Sequence, residues 1–182
     1  MPPEAVVNFW TAAAPARWFA KDDEFDANLR AHFELAHQTA ARARFAAWED
    51  TPAGALALLL LLDQIPCNIF RGSAHAFATD ARAREVAVRA IARRFDQHFE
   101  PVLRCFFSLP LEHSENAEDQ SRCVALFEAL GDAEYLKFAV LHRDIVARFG
   151  RFPHRNTVTG RVSTADEISF LGGGGLLGSA CN

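Results

Sequence analysis

The chain has 182 residues, 50% of them hydrophobic and 16 of them phenylalanine. That length suits a single domain whose core needs no disulfide or metal staple. A formal net charge of −4 gives no global attraction to nucleic acid or to an anionic membrane, so neither is expected as a partner.

Read in chain order, the sequence carries helix punctuation and no convincing strand alternation. Glu4 to Thr11 is a short helix candidate interrupted at Ala14-Pro15. Asp22 or Asp23 can cap a longer helix, on which Phe25, Leu29 and Phe33 fall on one stripe with a period of about 3.6 residues, ending near Phe45. Thr51-Pro52 reads as an N-cap followed by proline at the first helical position. The helix that follows, Ala53 through Leu62, is apolar on every side, which marks a central core helix. At ten residues it is about half the length of a membrane crossing, and Pro66 is expected to end it.

Gly72-Ser73 restarts the chain, and a helical pattern runs to about Phe95. Glu100-Pro101 opens a helix expected to stop at Leu109-Pro110. Asn116 or Ser114 can cap the next helix, and Gly131-Asp132 is a C-cap followed by an N-cap. The helix after it carries Tyr135, Phe138, His142, Ile145 and Phe149 on one stripe and ends at Gly150. Thr164 to Glu167 is a capping box that starts a last helix reaching Leu171. Two units result: one helical domain over 1–171 and a Gly-rich tail over 172–182, expected to be flexible. Seven to nine helices with short connections are expected to pack as antiparallel pairs. The sequence shows no strict 34-residue self-similarity.

Four cysteines, Cys67, Cys105, Cys123 and Cys181, match no zinc spacing and form no C-x-x-C pair. Scattered thiols suggest a reducing, cytoplasmic setting, and no basic-then-apolar leader opens the chain. No phosphate-cradling glycine loop and no i, i+4 histidine pair occurs, so neither a cofactor nor a metal is expected.

Three stretches carry a resemblance. They are Leu61 to Gly72 (LLDQIPCNIFRG), Leu109 to Glu115 (LPLEHSE) and Phe149 to Asn156 (FGRFPHRN), the last followed by Gly160-Arg161 and Ser163-Thr164. Over about Phe9 to Leu171 the chain resembles the domain-of-unknown-function family 924. The resemblance implies an all-α, tetratricopeptide-like superhelix and implies no activity. The chain has Ile65 where the family usually has Phe, and Cys67 where it usually has Arg, which removes a positive charge beside Asp63.

Charge points to candidate site residues. No acid stands between Asp144 and Asp166, a stretch holding Arg148, Arg151, His154, Arg155 and Arg161. Glu112, Glu115, Glu118 and Asp119 crowd another segment around His113. The two segments either pair with each other or line a site, because ion-pair networks mimic functional sites. Asp63, at the C-terminal end of an apolar helix, faces the negative end of the helix dipole and needs a partner. Arg71, Arg151, Arg155 and Arg161 are the candidates for it. Such a pair either fixes helix order or places an acid beside an arginine-lined anion pocket. His142, on an apolar stripe, reads as a core histidine.

The first function class is a binding or interaction module, in which Arg71, Arg151, His154, Arg155, Arg161, Asn68 and Asn156 hold an anionic small molecule or peptide. The second is a hydrolase-type enzyme acting on an anionic small molecule, with Asp63, His113 or Glu115 as the acid–base group. The third is a structural homodimer. A closed pocket holding carboxylate, histidine and arginine within hydrogen-bond reach favours the enzyme, and an open groove with aromatics favours binding.

Overall fold

The computed structural model describes residues 1–174, and these contain ten α-helices and no strand. They are α1 (Pro3–Ala12), α2 (Pro15–Trp18), α3 (Asp23–Ala41), α4 (Pro52–Ile69), α5 (Asp80–Ala92), α6 (Pro101–Glu112), α7 (Ala117–Leu130), α8 (Ala133–Phe149), α9 (Asn156–Thr159) and α10 (Ala165–Gly172). Short 3₁₀ turns link several of them. The count exceeds the expected seven to nine because short segments around α2 and α9 form helices of their own. The last helix runs one residue into the expected tail, most of which lies outside the described residues.

The caps follow the sequence. Asp22, Thr51, Asn116 and Asp132 each accept backbone N–H bonds at the start of α3, α4, α7 and α8, and Thr164 and Glu167 form the capping box of α10. Gly131 and Gly150 end α7 and α8 with φ of 79° and 69°, where a side chain is strained.

Two prolines did not stop their helices. The polypeptide turns helically through Pro66, because residues Leu60–Gln64 widen into a π-turn that absorbs the mismatch. The Ile65 N–H reaches Leu60 O, five residues back, which leaves Leu61 O without its usual donor. The His37 ring supplies one at 2.8 Å. Pro66 has no N–H to give Leu62 O, and the Thr79 hydroxyl takes that place at 2.6 Å. Helix α6 likewise continues past Pro110 to Glu112. Each proline lies within three residues of a polar group that the fold buries: Asp63 before Pro66, and Glu112 and His113 after Pro110.

Helix α4 is the centre of the core, with Leu56, Leu59, Leu60, Leu61 and Leu62 all at 0% exposure. It touches α1, α3, α5 and α6, while α6, α7 and α8 pack on one another in succession. The helix is long and apolar enough by composition to cross a membrane, but 89% of that window is buried inside the protein. Cys105 and Cys123 are free and buried. Cys67, by contrast, is disulfide-bonded, so the expectation of four reduced thiols fails at that position.

Candidate functional site

The π-turn of α4 and the end of α6 meet inside the protein. There the His113 Nδ1–H donates to Asp63 Oδ1 at 2.7 Å, across fifty positions of sequence. The second carboxylate oxygen of Asp63 accepts from the Gln64 amide at 2.6 Å. Asp63 is 1% exposed and His113 is 8% exposed. No arginine lies within ion-pair distance of Asp63 among the described residues; the histidine is its partner. Burial alone would push the His113 ring down, but the Asp63 charge and hydrogen bond, with help from Asp80 and Glu112, lift it above its usual range.

The last turn of α6 is pinned from below. The Gln120 amide, fully buried, lies 2.6 Å from Glu112 O and 2.7 Å from Ser114 O, tying down carbonyls that a helix end leaves without partners. Ser114 donates to Asp119, which also pairs with Arg84. Ser114 is therefore a bracket for the turn, with its hydroxyl already committed.

Glu112 is the most perturbed acid of the group. Burial pushes its carboxyl up to about 7; His113 opposes the rise and Asp63 adds to it. Its Oε1 lies 3.4 Å from His142 Nδ1, and its Oε2 is buried without a hydrogen-bond partner among the described residues. His142 itself donates from Nδ1 to Phe138 O at 2.9 Å. Burial and the nearby positive groups lower it to about 4, so its ring is neutral at pH 7 and its Nε2 carries a lone pair. Asp80 completes the cluster. Burial raises it to about 6, and the Arg155 guanidinium holds it at 2.8 Å.

Gln64, Glu112, His113 and His142 line a cavity of about 430 Å³, whose other wall includes Phe19, Tyr135 and Phe138. This volume is in the range of small-molecule sites. A carboxylate-held imidazole beside such a space can give or take a proton from Nε2, since Nδ1 is fixed.

The other expected site residues are distributed differently. Arg71 and Asn68 both bind Asp26, at 2.7 and 3.0 Å. Arg151 and Asn156 both reach Glu167, at 2.6 and 3.3 Å. Arg161 grips Glu115 with two bonds, at 2.7 and 3.0 Å, and Glu115 also accepts the Phe152 N–H. Burial works to raise the Glu115 carboxyl, but Arg161 and that N–H outweigh it and hold it low, which suits a clamp better than a proton carrier. Arg155 lies between the rings of Phe77 and Phe152, 4.3 and 4.8 Å from their centroids. His154 packs against Phe152, and burial with Arg155 beside it lowers the ring to about 3. The acid-free stretch thus dissolves into separate carboxylate pairs, one of them with the acidic segment through Glu115.

Sequence reasoning placed Asp63, His113 and Glu112 near a pocket but missed Gln64, Asp80 and the cavity role of His142. An apolar-stripe histidine gives no sign of which ring nitrogen stays free. One available signal is a pair of prolines inside apolar helices, each within three residues of a charged residue.

A family model described as "Bacterial protein of unknown function (DUF924)" matches residues 6–175. The solved structure of a protein of unknown function, ATU0120 from Agrobacterium tumefaciens, is 46% identical with a TM-score of 0.90, covering 93% of this chain and 96% of that one. No curated protein matches.

Proposed function

This chain belongs to the bacterial DUF924 family of unknown function, and we propose that it is an enzyme in which His113, held by Asp63, moves a proton on a small molecule bound in the cavity. The observation that carries this reading is the 2.7 Å contact between His113 and Asp63 at the wall of a 430 Å³ cavity. Asp63 fixes the tautomer and the ring plane and stabilises the imidazolium, so Nε2 is the working atom. Gln64 keeps the carboxylate from rotating. The Asp63 charge and hydrogen bond raise the ring and favour its imidazolium form, which suits His113 to give a proton from Nε2.

An arginine-lined anion pocket has less support, because each candidate guanidinium is engaged by a carboxylate away from Asp63. Glu115, the third acid–base candidate, is held by Arg161 and suits structure. Neither a tetratricopeptide-like coil nor a cytoplasmic home nor a homodimer is needed for the chemistry.

The test is untargeted mass spectrometry of a bacterial metabolite extract incubated with wild type, His113→Gln and Asp63→Asn, with folding checked by circular dichroism. Wild type should consume at least one compound. His113→Gln should slow that by about 10²–10⁴-fold, and Asp63→Asn should shift the pH profile of what remains. Binding of a compound without its conversion would favour the binding-module reading instead. Equal turnover by His113→Gln would refute the assignment.

A further inference from the structure

The cavity's charges, taken together, say what kind of molecule it accepts. We propose that it takes a compact organic cation, an amine or amidine carrying an aromatic or branched apolar group, with Glu112 as the counter-charge. The inference uses the cavity of the acid–base reading and adds the substrate class.

Three features support it. The Glu112 side chain is 5% exposed, lines the cavity, and leaves Oε2 without a hydrogen-bond partner among the described residues. A buried carboxylate oxygen with no donor is costly, and a ligand N–H⁺ is the group that satisfies both its charge and its lone pair. Secondly, none of the residues lining the cavity is lysine or arginine, while Asp132 and Glu134 line it as exposed residues, with the buried Glu112 deeper in the protein. The path inward therefore runs from acid to acid, which favours cations and repels anions. Thirdly, Phe19, Tyr135 and Phe138 form the apolar wall, and aromatic faces attract cations as well as apolar groups. A proton on His113 does not oppose this, because Asp63 balances its charge across the 2.7 Å bond.

The position of the ligand follows. Its cationic nitrogen lies against Glu112, and His142 is within reach through the neutral Nε2. The apolar group rests on Tyr135 and Phe138. The reacting bond then falls beside His113, the next residue in the chain after Glu112.

Calorimetry with three probes of one shape tests the class: 2-phenylethylamine, 2-phenylethanol and 3-phenylpropanoate. The amine should bind best and the carboxylate least. Glu112→Gln should weaken the amine on the order of 10- to 100-fold, the worth of a charge-assisted hydrogen bond, and leave the alcohol unchanged. In wild type at pH 7, amine binding should release protons, read as a heat that varies with the buffer's ionisation enthalpy, because the ligand cation expels the Glu112 proton. Preference for the carboxylate, equal amine affinity in Glu112→Gln, or no binding of any probe at millimolar concentration would overturn the cation assignment. Turnover of the metabolite extract by wild type and its loss in His113→Gln are measured separately, so the acid–base reading stands or falls on its own result.

Discussion

Replacing Glu112 with glutamine keeps the shape of the side chain and removes its ability to ionise. In the folded protein burial holds this carboxyl at about 7, against an ordinary 4.5. An unfolded chain releases the proton near 4.5 and the folded chain keeps it until about 7. Between those values the unfolded state gains from ionising while the folded state does not, so stability falls as pH rises through this window and stays low above it. At about 1.4 kcal/mol per pH unit, the cost reaches about 3 kcal/mol. Glutamine never ionises and escapes the loss. Glu112→Gln should therefore match wild type near pH 4.5 and exceed it by about 3 kcal/mol at pH 8.5. A small counter-effect comes from His113, which loses the weakest of the charges raising it. Urea denaturation of the ligand-free protein at half-unit pH steps measures the difference directly. A gap that does not widen with pH, or a variant less stable than wild type at pH 8.5, would refute the reasoning.

Other outcomes follow from the same structure. His142 and His154, lowered to about 4 and about 3 by burial, refuse protons that an unfolded chain accepts at 6.5; their own contribution to stability should fall as pH drops below 6.5, against the trend set by Glu112, and NMR should show both rings neutral at pH 5.5. Thr79→Val strips the donor from Leu62 O beside Pro66 and should cost about 1–3 kcal/mol in chemical denaturation, the penalty of a buried carbonyl left unpaired. Leu59→Ala and Leu60→Ala, both at 0% exposure, should each cost about 2–5 kcal/mol; losses under about 0.5 kcal/mol at both would mean α4 is peripheral. Gly54→Ala should destabilise despite alanine's higher helix propensity, because a Cβ there would run into the backbone carbonyl of Trp48.

Much of the fold was legible because caps and glycines act locally. Thr51-Pro52, Asn116, Gly131-Asp132 and Thr164 to Glu167 mark the helix boundaries they announce. Pro66 and Pro110 were misleading for a physical reason. A helix passes through a proline more easily when the carbonyls it abandons find another donor, and at Pro66 His37 and Thr79 come from α3 and from the turn before α5 to supply them. Such donors are tertiary facts with no local signature. The site divides the same way. Asp63 announced itself as a charge at a disfavoured helix end, but its partner was a histidine fifty residues on, while the arginines found other acids. Charge density along a chain says that positive groups need partners; it does not say which carboxylates the fold will bring to them.

The cluster around His113 has an unequal balance that ties the proton chemistry to the ligand class. Asp63 acts on both Asp80 and Glu112 there, and His113 and Arg155 are the basic groups set against these acids among the described residues. Three carboxyl groups against two basic partners, in a buried setting, leave one carboxyl without a basic partner of its own. Asp63 is committed to His113 and Asp80 to Arg155. That leaves Glu112, whose nearest polar side chain among the ion-pair contacts of the described residues, His142, is neutral. A charge on Glu112 is met either by a proton, as burial favours in raising the carboxyl to about 7, or by a cation entering from the cavity. The two compete for the same oxygen. If the ligand is a cation and His113 the acid–base group, as proposed, binding discharges a proton beside the imidazole, and one buried carboxylate links the ligand to the protonation state of the site.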